Sequence, residues 1–219
     1  MSFAKTDTDE IVVPKIGEGI YLIKDVANIL MLPYYKVRHL MKGFWYENSF
    51  GEEKNIAINF YSLIEFYTFF KLRELGVTAN EIKRAHSILA RDLNIKYPFA
   101  LAGIKTDGKT VWYETLETLI KIDGKKQYAI KEFIIEFLHK IEFGDNNLAQ
   151  RFYPLEKSKV VVVDPKHQFG QPTISGRNIT VSIIKKMHDG GESINDIAKL
   201  YDIRDSYVKQ ALEYYKRTA

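Results

Sequence analysis

Apolar positions in the first 60 residues fall into short runs and into helical spacing. Gly19–Leu22 predicts a short strand, and Ile23–Lys42 carries two helical patterns that are separated at Met31-Leu32-Pro33. Proline suits the first turn of a new helix, because no backbone donor is needed there and its φ is already set. Ile56–Phe60 alternates weakly and predicts a second strand. We therefore expect two short helices between two strands.

Two longer helical patterns follow. The first covers Tyr61–Leu75, is rich in aromatic residues, and has Ser62 and Glu65 at the spacing of a capping box. The second covers Ala79–Leu93, and Thr78 with the glutamate three residues later repeats that spacing. A glycine between the two patterns marks the end of the first helix. These features predict a helical hairpin.

Two Asp-Gly pairs predict hairpin turns, because a tight primed turn requires positive φ and these residues adopt it readily. Asp107-Gly108 lies at the centre of Ile104–Tyr113, and Asp123-Gly124 lies within Leu119–Tyr128. Each segment therefore predicts a β-hairpin.

The sequence before the last module contains one segment with helical apolar spacing and one without periodic spacing. Ile130–Ile141 has helical apolar spacing, whereas Glu142–Ser158 has few periodic features and is rich in glycine, aspartate and asparagine. We predict that Glu142–Ser158 is a linker. The last module then begins with a strand at Lys159–Val163.

One set of landmarks occurs twice with identical spacing. The copies are Asp25-Val26-Ala27, Leu32 and Val37, and Asp196-Ile197-Ala198, Ile203 and Val208. A helix-turn-helix needs a small residue where its helices cross, an apolar residue in the turn, and an apolar residue inside the second helix. Glycine usually follows the first helix, whereas this chain has Met31 and Asp202 there. The repeat predicts a helix-turn-helix near each end.

The outward faces of the second helices carry the candidate DNA contacts. In the first unit these are Tyr34, Tyr35, Lys36, Arg38, His39 and Lys42. In the second unit they are Arg204, Ser206, Tyr207, Lys209 and Gln210, and Arg177, which lies next to the preceding loop, is a further candidate for a phosphate contact. Arginine pairs with guanine and glutamine with adenine, so we expect Gln210 to point outward to a base and Lys209 to a phosphate. Two alternatives remain: these faces are merely solvated, and Arg177 braces carbonyl groups of its own loop.

The final module resembles a known bacterial family. The matching residues are Val163-Asp164-Pro165, Gly170 to Ile179, and Gly190 to Ala198. Residues 160–217 resemble the domain of unknown function 433, whose members are usually described as antitoxins of toxin-antitoxin operons. The family commonly has Gly-Arg-Pro where this chain has Gly170-Gln171-Pro172. The resemblance implies an antitoxin-like, trihelical module.

A second resemblance covers Gly19–Trp45. This segment is similar to the winged-helix amino terminus of MerR-type regulators, which have a strand-like aromatic residue and a helix ending in Asp-Val-Ala. No cysteine is present, so metal sensing in the manner of those regulators is not implied.

Together these patterns predict an α+β, mostly helical protein with three modules. They are a winged helix-turn-helix (1–60), a helical and β-hairpin dimerisation module (61–145), and an antitoxin-like helix-turn-helix domain (159–219). The combined resemblance implies a homodimeric repressor that binds double-stranded operator DNA, autoregulates a toxin-antitoxin operon, and neutralises a nuclease-type toxin. The alternatives are a transcription regulator without a toxin and a protein-interaction adaptor.

Charge and composition favour the same interpretation. Residues 1–150 carry 20 basic and 20 acidic residues, whereas residues 151–219 carry 12 and 8, so the net charge of +4 resides in the last module. Such asymmetry suits a polyanion, although it is also common on ordinary surfaces. The absence of cysteine, of a signal-like amino terminus and of a long apolar run predicts a cytoplasmic protein without membrane contact.

Catalytic and metal-binding patterns are lacking in the sequence. The five histidines have no carboxylate at metal-ligand spacing, and no glycine-rich phosphate loop precedes a helix. We therefore expect no enzyme activity and no cofactor. Aromatic residues are dense over Phe60–Phe70 and Phe133–Phe143. We interpret these stripes first as core, and otherwise as a dimer or toxin interface.

Overall fold

The computed structural model describes residues 17–45, 49–51, 55–114, 119–122 and 136–218. Within these ranges it contains seven α-helices and ten short strands, with more residues in helices than in strands. The predicted α+β class is therefore confirmed.

The amino-terminal elements form a small sheet that carries two helices. In chain order they are β1 (Tyr21–Leu22), α1 (Ile23–Leu30), α2 (Tyr34–Leu40), a π-helical turn (Met41–Trp45), β2 (Ser49–Phe50) and β3 (Ala57–Ile58). Strand β3 lies in the middle of the sheet and pairs antiparallel with both β1 and β2. The predicted order of strand, two helices and strand is confirmed.

Helix α3 spans Phe60–Glu74 and begins at a different cap from the one predicted. The side chain of Asn59 accepts a hydrogen bond from the backbone N–H of Ser62 at 3.0 Å. The predicted capping box of Ser62 and Glu65 is wrong, because both side chains are buried inside the first turns of the helix.

Helix α4 spans Ala79–Asp92 and begins as the sequence predicts. The hydroxyl of Thr78 accepts a hydrogen bond from the backbone N–H of Glu81 at 3.2 Å. Gly76, with a φ of 102°, lies in the turn that joins α3 to α4. The predicted helical hairpin is confirmed.

A three-stranded antiparallel sheet follows, with β5 at its centre. Its strands are β4 (Ile104–Thr106), β5 (Val111–Glu114) and β6 (Leu119–Lys121). The turn between β4 and β5 contains four residues, so a two-residue turn does not form. The carboxylate of Asp107 stabilises this longer turn by accepting from the backbone N–H groups of Lys109 and Thr110 at 2.9 and 2.7 Å. The turn predicted at Asp123-Gly124 lies outside the described residues.

The segment predicted as a linker forms a β-hairpin instead. Strand β7 (Ile141–Phe143) pairs with β8 (Ala149–Phe152), and the glycine- and asparagine-rich residues between them form its turn. Ala149 and Phe152 are buried, which explains why the segment is ordered. The predicted helix over Ile130–Ile141 is also wrong for residues 136–141, which are three residues without regular structure, a turn and the start of β7. Residues 130–135 lie outside the described ranges.

The carboxy-terminal elements are a two-stranded antiparallel sheet and three helices. They are β9 (Val161–Val162), β10 (Thr173–Ile174), α5 (Val181–Asp189), α6 (Ile194–Leu200) and α7 (Asp205–Thr218). Their apolar faces form a core of their own that includes Val161, Ile184 and Val208.

A second and larger core contains buried residues of the amino-terminal sheet, of α1 to α4 and of strands β4, β5, β7 and β8, and it also includes Val163. The predicted module boundary after residue 60 falls inside this core, and the three-module division stays a prediction. Aromatic side chains of α3 are buried in it: Phe60, Phe66, Tyr67 and Phe69. This stripe is therefore core, and the alternative of a dimer or toxin interface is wrong for these four residues. No helix in the described part of the chain is long and apolar enough to cross a bilayer.

Candidate nucleic-acid interface

The repeat predicted two helix pairs, α1–α2 and α6–α7. The turn after the first helix of each pair contains an equivalent backbone hydrogen bond. The backbone N–H of Leu32 donates to the carbonyl of Ala27 at 2.9 Å, and that of Ile203 donates to Ala198 at 3.0 Å. These four residues hold equivalent places in the repeat. The two turns therefore follow the same path.

The second helices of the two pairs also begin alike. Backbone N–H groups of Lys36 and Tyr207 donate to Pro33 and Arg204 at 3.0 and 2.8 Å. Three landmark side chains are buried in each copy, and their exposed fractions are Val26 0%, Ile197 0%, Ala27 5%, Ala198 3%, Val37 0% and Val208 0%. The two apolar turn residues are half-buried, and the two aspartates are exposed. Each alanine thus lies where its two helices approach, and each valine holds the second helix against the core.

Met31 and Asp202 turn the chain between the helices. Their φ angles are 55° and 50°, so both have left-handed backbone conformation. Glycine is the residue that adopts this conformation without strain, and aspartate tolerates it better than methionine. Met31 and Asp202 therefore adopt the left-handed conformation for which the helix-turn-helix motif usually has glycine.

The outward face of α2 is open. All six predicted residues of this unit are exposed, and the exposed fraction is 48% for Tyr34 and 67% for Tyr35. On the opposite face Val37 and Leu40 are buried, as the helical periodicity predicts. No hydrogen bond or ion pair within the described residues engages the side chains of Arg38, His39 or Lys42. Two cations and a histidine are thus available on one helix face.

The outward face of α7 is smaller than predicted. Ser206 and Lys209 are exposed near its amino-terminal end. The guanidinium of Arg204, just before the helix, lies 5.9 Å from the ring centre of Tyr207. Tyr207 itself is half-buried against the carboxy-terminal core.

Two predicted contacts of the second unit have partners inside the protein. The side-chain oxygen of Gln210 accepts from the backbone N–H of Val160 at 2.9 Å, so the prediction that it points outward is wrong. The helical wheel could not show this, since the strand end that contacts Gln210 is 50 residues away in the sequence. Arg177 donates to the carbonyl of Asp202 at 3.2 Å. This carbonyl lies in the turn between α6 and α7 and not in the loop of Arg177, so Arg177 holds a different segment from the one that the bracing alternative named.

The amino-terminal elements contact the carboxy-terminal unit at and next to β1. The backbone N–H of Ile20 donates to the carbonyl of Phe169 at 3.3 Å. Gly170 packs against the Tyr21 ring, and Met31 packs against the carboxy-terminal core. Sequence patterns did not predict this junction. The signals in the sequence were Gly19 and Gly170, since their φ angles of 68° and 82° favour glycine.

A buried polar cluster lies away from both helix pairs. The Glu65 carboxylate accepts from the backbone N–H of Phe99 at 3.2 Å and lies 2.8 Å from Nε2 of His86. These contacts of Glu65 join α3 and α4 to the short 3₁₀ helix over Pro98–Ala100.

His86 is partly packed, as predicted, whereas His139 lies in an exposed turn and not in the predicted helix. Within the described ranges, no three His, Cys, Asp or Glu side chains are grouped to hold a metal ion.

Comparison with known families identifies the carboxy-terminal unit. Residues 161–215 match the family described as "Protein of unknown function (DUF433)". The match confirms the resemblance predicted for residues 160–217. The resemblance of Gly19–Trp45 to MerR-type regulators stays a prediction.

Individual relatives extend the similarity beyond that unit. The chain is 25% identical over 169 residues, which are 70% of each protein, to "Putative antitoxin VapB45" of Mycobacterium tuberculosis. It is 34% identical over 65 residues, 29% of this chain and 27% of the relative, to "Uncharacterized protein Rv2308" of the same organism. The crystal structure of Rv2018 from Mycobacterium tuberculosis has a TM-score of 0.65, 18% identity, and covers 88% of this chain and 96% of that chain. That likeness shows a shared fold and nothing more.

Proposed function

We propose that this chain, whose carboxy-terminal unit matches the DUF433 family, is a sequence-specific DNA-binding repressor of the antitoxin type. The observation that carries the proposal is the equivalence of the two helix pairs. Each has the buried alanine and valine, the left-handed turn residue and the same turn hydrogen bond. In helix-turn-helix proteins this geometry presents the second helix to the major groove.

The amino-terminal pair is the stronger candidate for base contact. The order β1, α1, α2, β2 and β3 supports the proposal of a winged helix-turn-helix in which β2 and β3 would form the wing. Tyr34, Tyr35, Lys36, Arg38, His39 and Lys42 are the proposed contact residues. Arg38 suits a guanine and Lys42 a phosphate, since arginine binds guanine through two donors and lysine acts as a point charge.

The carboxy-terminal pair has fewer exposed side chains that could contact DNA. Arg204, Ser206 and Lys209 are its proposed DNA contacts, whereas Arg177 and Gln210 hold the domain together. The ring of Tyr207 lies against the guanidinium group of Arg204. The basic excess of residues 151–219 favours phosphate contact by this pair.

The biological context rests on the relative that bears an antitoxin name. We propose that the chain autoregulates a toxin-antitoxin operon as a homodimer and binds a nuclease-type toxin through a folded surface. Four reading helices in a dimer would fit spaced half-sites on an operator.

Binding to DNA is tested with a labelled fragment of the chain's own promoter. We expect saturable binding in fluorescence anisotropy and an affinity that falls steeply as salt rises, because phosphate neutralisation releases counterions. Arg38→Ala should weaken binding by about 1–3 kcal/mol, the loss of a base contact, which is roughly 5- to 150-fold. Lys42→Ala should weaken binding to all sequences alike and reduce the salt slope by about 1, the loss of a phosphate contact. Ser206→Ala and Lys209→Ala test the second pair in the same way.

Lys109→Ala provides the matched control. Lys109 is exposed in the turn between β4 and β5, so its replacement removes one positive charge without touching either helix pair. It should bind DNA like the wild type. A protein that does not bind its promoter, or an Arg38→Ala and Lys42→Ala pair that binds as tightly as Lys109→Ala, contradicts the proposed interface.

The toxin is tested separately. Co-expression with the product of the adjacent gene should give a stable complex in size-exclusion chromatography. If the gene has no neighbour, or if the neighbour's product elutes separately, the proposed toxin partner is contradicted and the protein is a repressor without a toxin.

A further inference from the structure

An open groove lies between α5 and α7, and we call it the α5–α7 groove. Its volume is about 420 Å³. Three apolar residues, which are buried or half-buried, form its floor: Ile194, Leu212 and Tyr215. Four basic side chains form its rim: Lys185, His188, Lys209 and Lys216. The groove therefore combines an apolar floor with a basic rim.

The positive charge of this rim is only partly neutralised. No acidic side chain of the described residues lines the groove. Lys185 pairs with Asp189, which does not line it. Lys209 and Lys216 are exposed, and no hydrogen bond or ion pair within the described part of the chain engages either ammonium group. Two unpaired cations thus lie beside the apolar floor.

These two lysines have a defined spacing along α7. Lys209, Leu212 and Lys216 follow one another at intervals of three and four residues, so they lie on one face of the helix. The lysines are two turns apart, which is about 10 Å along the helix axis. A complementary partner therefore offers acidic groups about this far apart, with apolar side chains between them. An amphipathic helix whose apolar stripe is flanked by acidic residues meets this requirement.

DNA fits this groove less well than a protein helix does. A helix-turn-helix contacts base edges with the amino-terminal residues of its second helix, which in α7 are those close to Ser206. Lys216 lies ten residues further along, about 15 Å from that end. Protein–DNA interfaces are also more polar than protein–protein interfaces, and phosphate groups gain nothing from an apolar floor. The part of the groove near Lys216 therefore favours a protein.

We propose that the α5–α7 groove binds an acidic amphipathic helix of the toxin partner. The apolar side chains of that helix would pack on the floor of the groove, and its acidic residues would pair with Lys209 and Lys216. Burial of apolar surface would supply affinity, and the ion pairs would fix the register of the helix. The inference rests on the toxin part of the proposed function, and it names the surface and the partner chemistry.

The test measures the complex between the purified full chain and the purified product of the adjacent gene by isothermal titration calorimetry. Lys216 is chosen because Lys209 is also a proposed DNA contact. Lys216→Glu replaces an attraction by a repulsion, so it should weaken the complex at least about tenfold. Lys216 is exposed, so this variant should melt at the temperature of the wild type.

Lys186→Glu is the matched control. Lys186 is also exposed and belongs to α5, but it does not line the groove. The variant makes the same change in charge, and its affinity for the partner should stay within about twofold of the wild type.

Ile194→Ala tests the apolar floor. Ile194 is half-buried at the first position of α6. Its truncation removes apolar contact area, so the complex should weaken about threefold or more. A folded Ile194→Ala protein that binds the partner like the wild type would overturn the docked helix. If the melting temperature shows that this variant is unfolded, the comparison of Lys216→Glu with Lys186→Glu decides.

Promoter binding of each lysine variant is measured in parallel, and Lys216→Glu should bind the promoter like Lys186→Glu. A loss of promoter affinity confined to Lys216→Glu would assign the groove to DNA and overturn the inference. Equal partner affinity in Lys216→Glu and the wild type would overturn the groove and leave both the toxin and the repressor standing. A neighbour's product that does not bind would overturn the inference together with the toxin, whereas promoter binding would then leave the repressor standing.

Discussion

Gly170 packs directly against the hydroxyl end of Tyr21, at a point where a Cβ atom would overlap the ring. This contact joins the loop before β10 to the first strand of the amino-terminal sheet. It also explains why a residue with positive φ at this place has no side chain.

Substitution at Gly170 should therefore lower stability more than at a comparable glycine. Gly176 has a similar φ, 71° against 82°, but nothing lies within 4 Å of its Cβ position. Gly176→Ala should lower the free energy of unfolding by about 1–2 kcal/mol through backbone strain alone. Gly170→Ala should lose about 1–3 kcal/mol more through overlap with Tyr21.

Equilibrium unfolding in urea measures both variants. Equal losses would mean that the junction relaxes around a new methyl group and that Tyr21 is not held by Gly170.

Left-handed residues in the two helix turns lead to a second prediction. Asp202→Gly should raise the free energy of unfolding by up to about 1 kcal/mol, because glycine relieves the strain at a φ of 50°. Met31→Gly should give no such gain. The Met31 side chain packs against the carboxy-terminal core, so its removal loses buried apolar surface.

Thermal or urea unfolding of the two variants provides the comparison. An equal rise for both would show that Met31 contributes nothing to the junction.

Alkaline pH should destabilise the protein. Burial raises the pKa of Tyr21, Tyr67 and Tyr214 in the folded state, and nearby negative charges add to it. In the unfolded chain these groups ionise near their ordinary pKa of about 10. Their stabilising contribution is therefore complete below about pH 10 and is lost as the pH rises toward the folded pKa values.

Urea unfolding at a series of pH values, with tyrosinate absorbance recorded in parallel, follows this loss. Tyr21→Phe should reduce the slope of stability against pH in the alkaline range. A stability that does not change between pH 9 and 11 would contradict the burial of these hydroxyls.

Local patterns predicted the elements that depend on nearby residues. The break at Met31-Leu32-Pro33, the cap at Thr78 and the two helix pairs follow from spacings within one or two turns, and each lies where expected. The α2 face was predictable for the same reason, because exposure around a short helix follows its periodicity.

Distant partners explain what the patterns missed. The hairpin β7–β8 has a weak apolar alternation, and its order comes from burial of Ala149 and Phe152 against α3. Gln210 was assigned to the outward face because its partner, Val160, is remote in sequence. The Ser62–Glu65 cap had the right spacing, but the burial of both side chains became evident only from the packing of α3.

Phe152 and Val163 exchange two backbone hydrogen bonds, at 3.0 and 2.8 Å, between the hairpin and the start of the family-matching unit. Transplanting residues 161–215 alone into another protein would therefore leave the Val163 amide and carbonyl without these partners. The family-matching unit and the preceding hairpin should therefore be excised or exchanged together, so a transplantable unit begins near Ile141 rather than at residue 161.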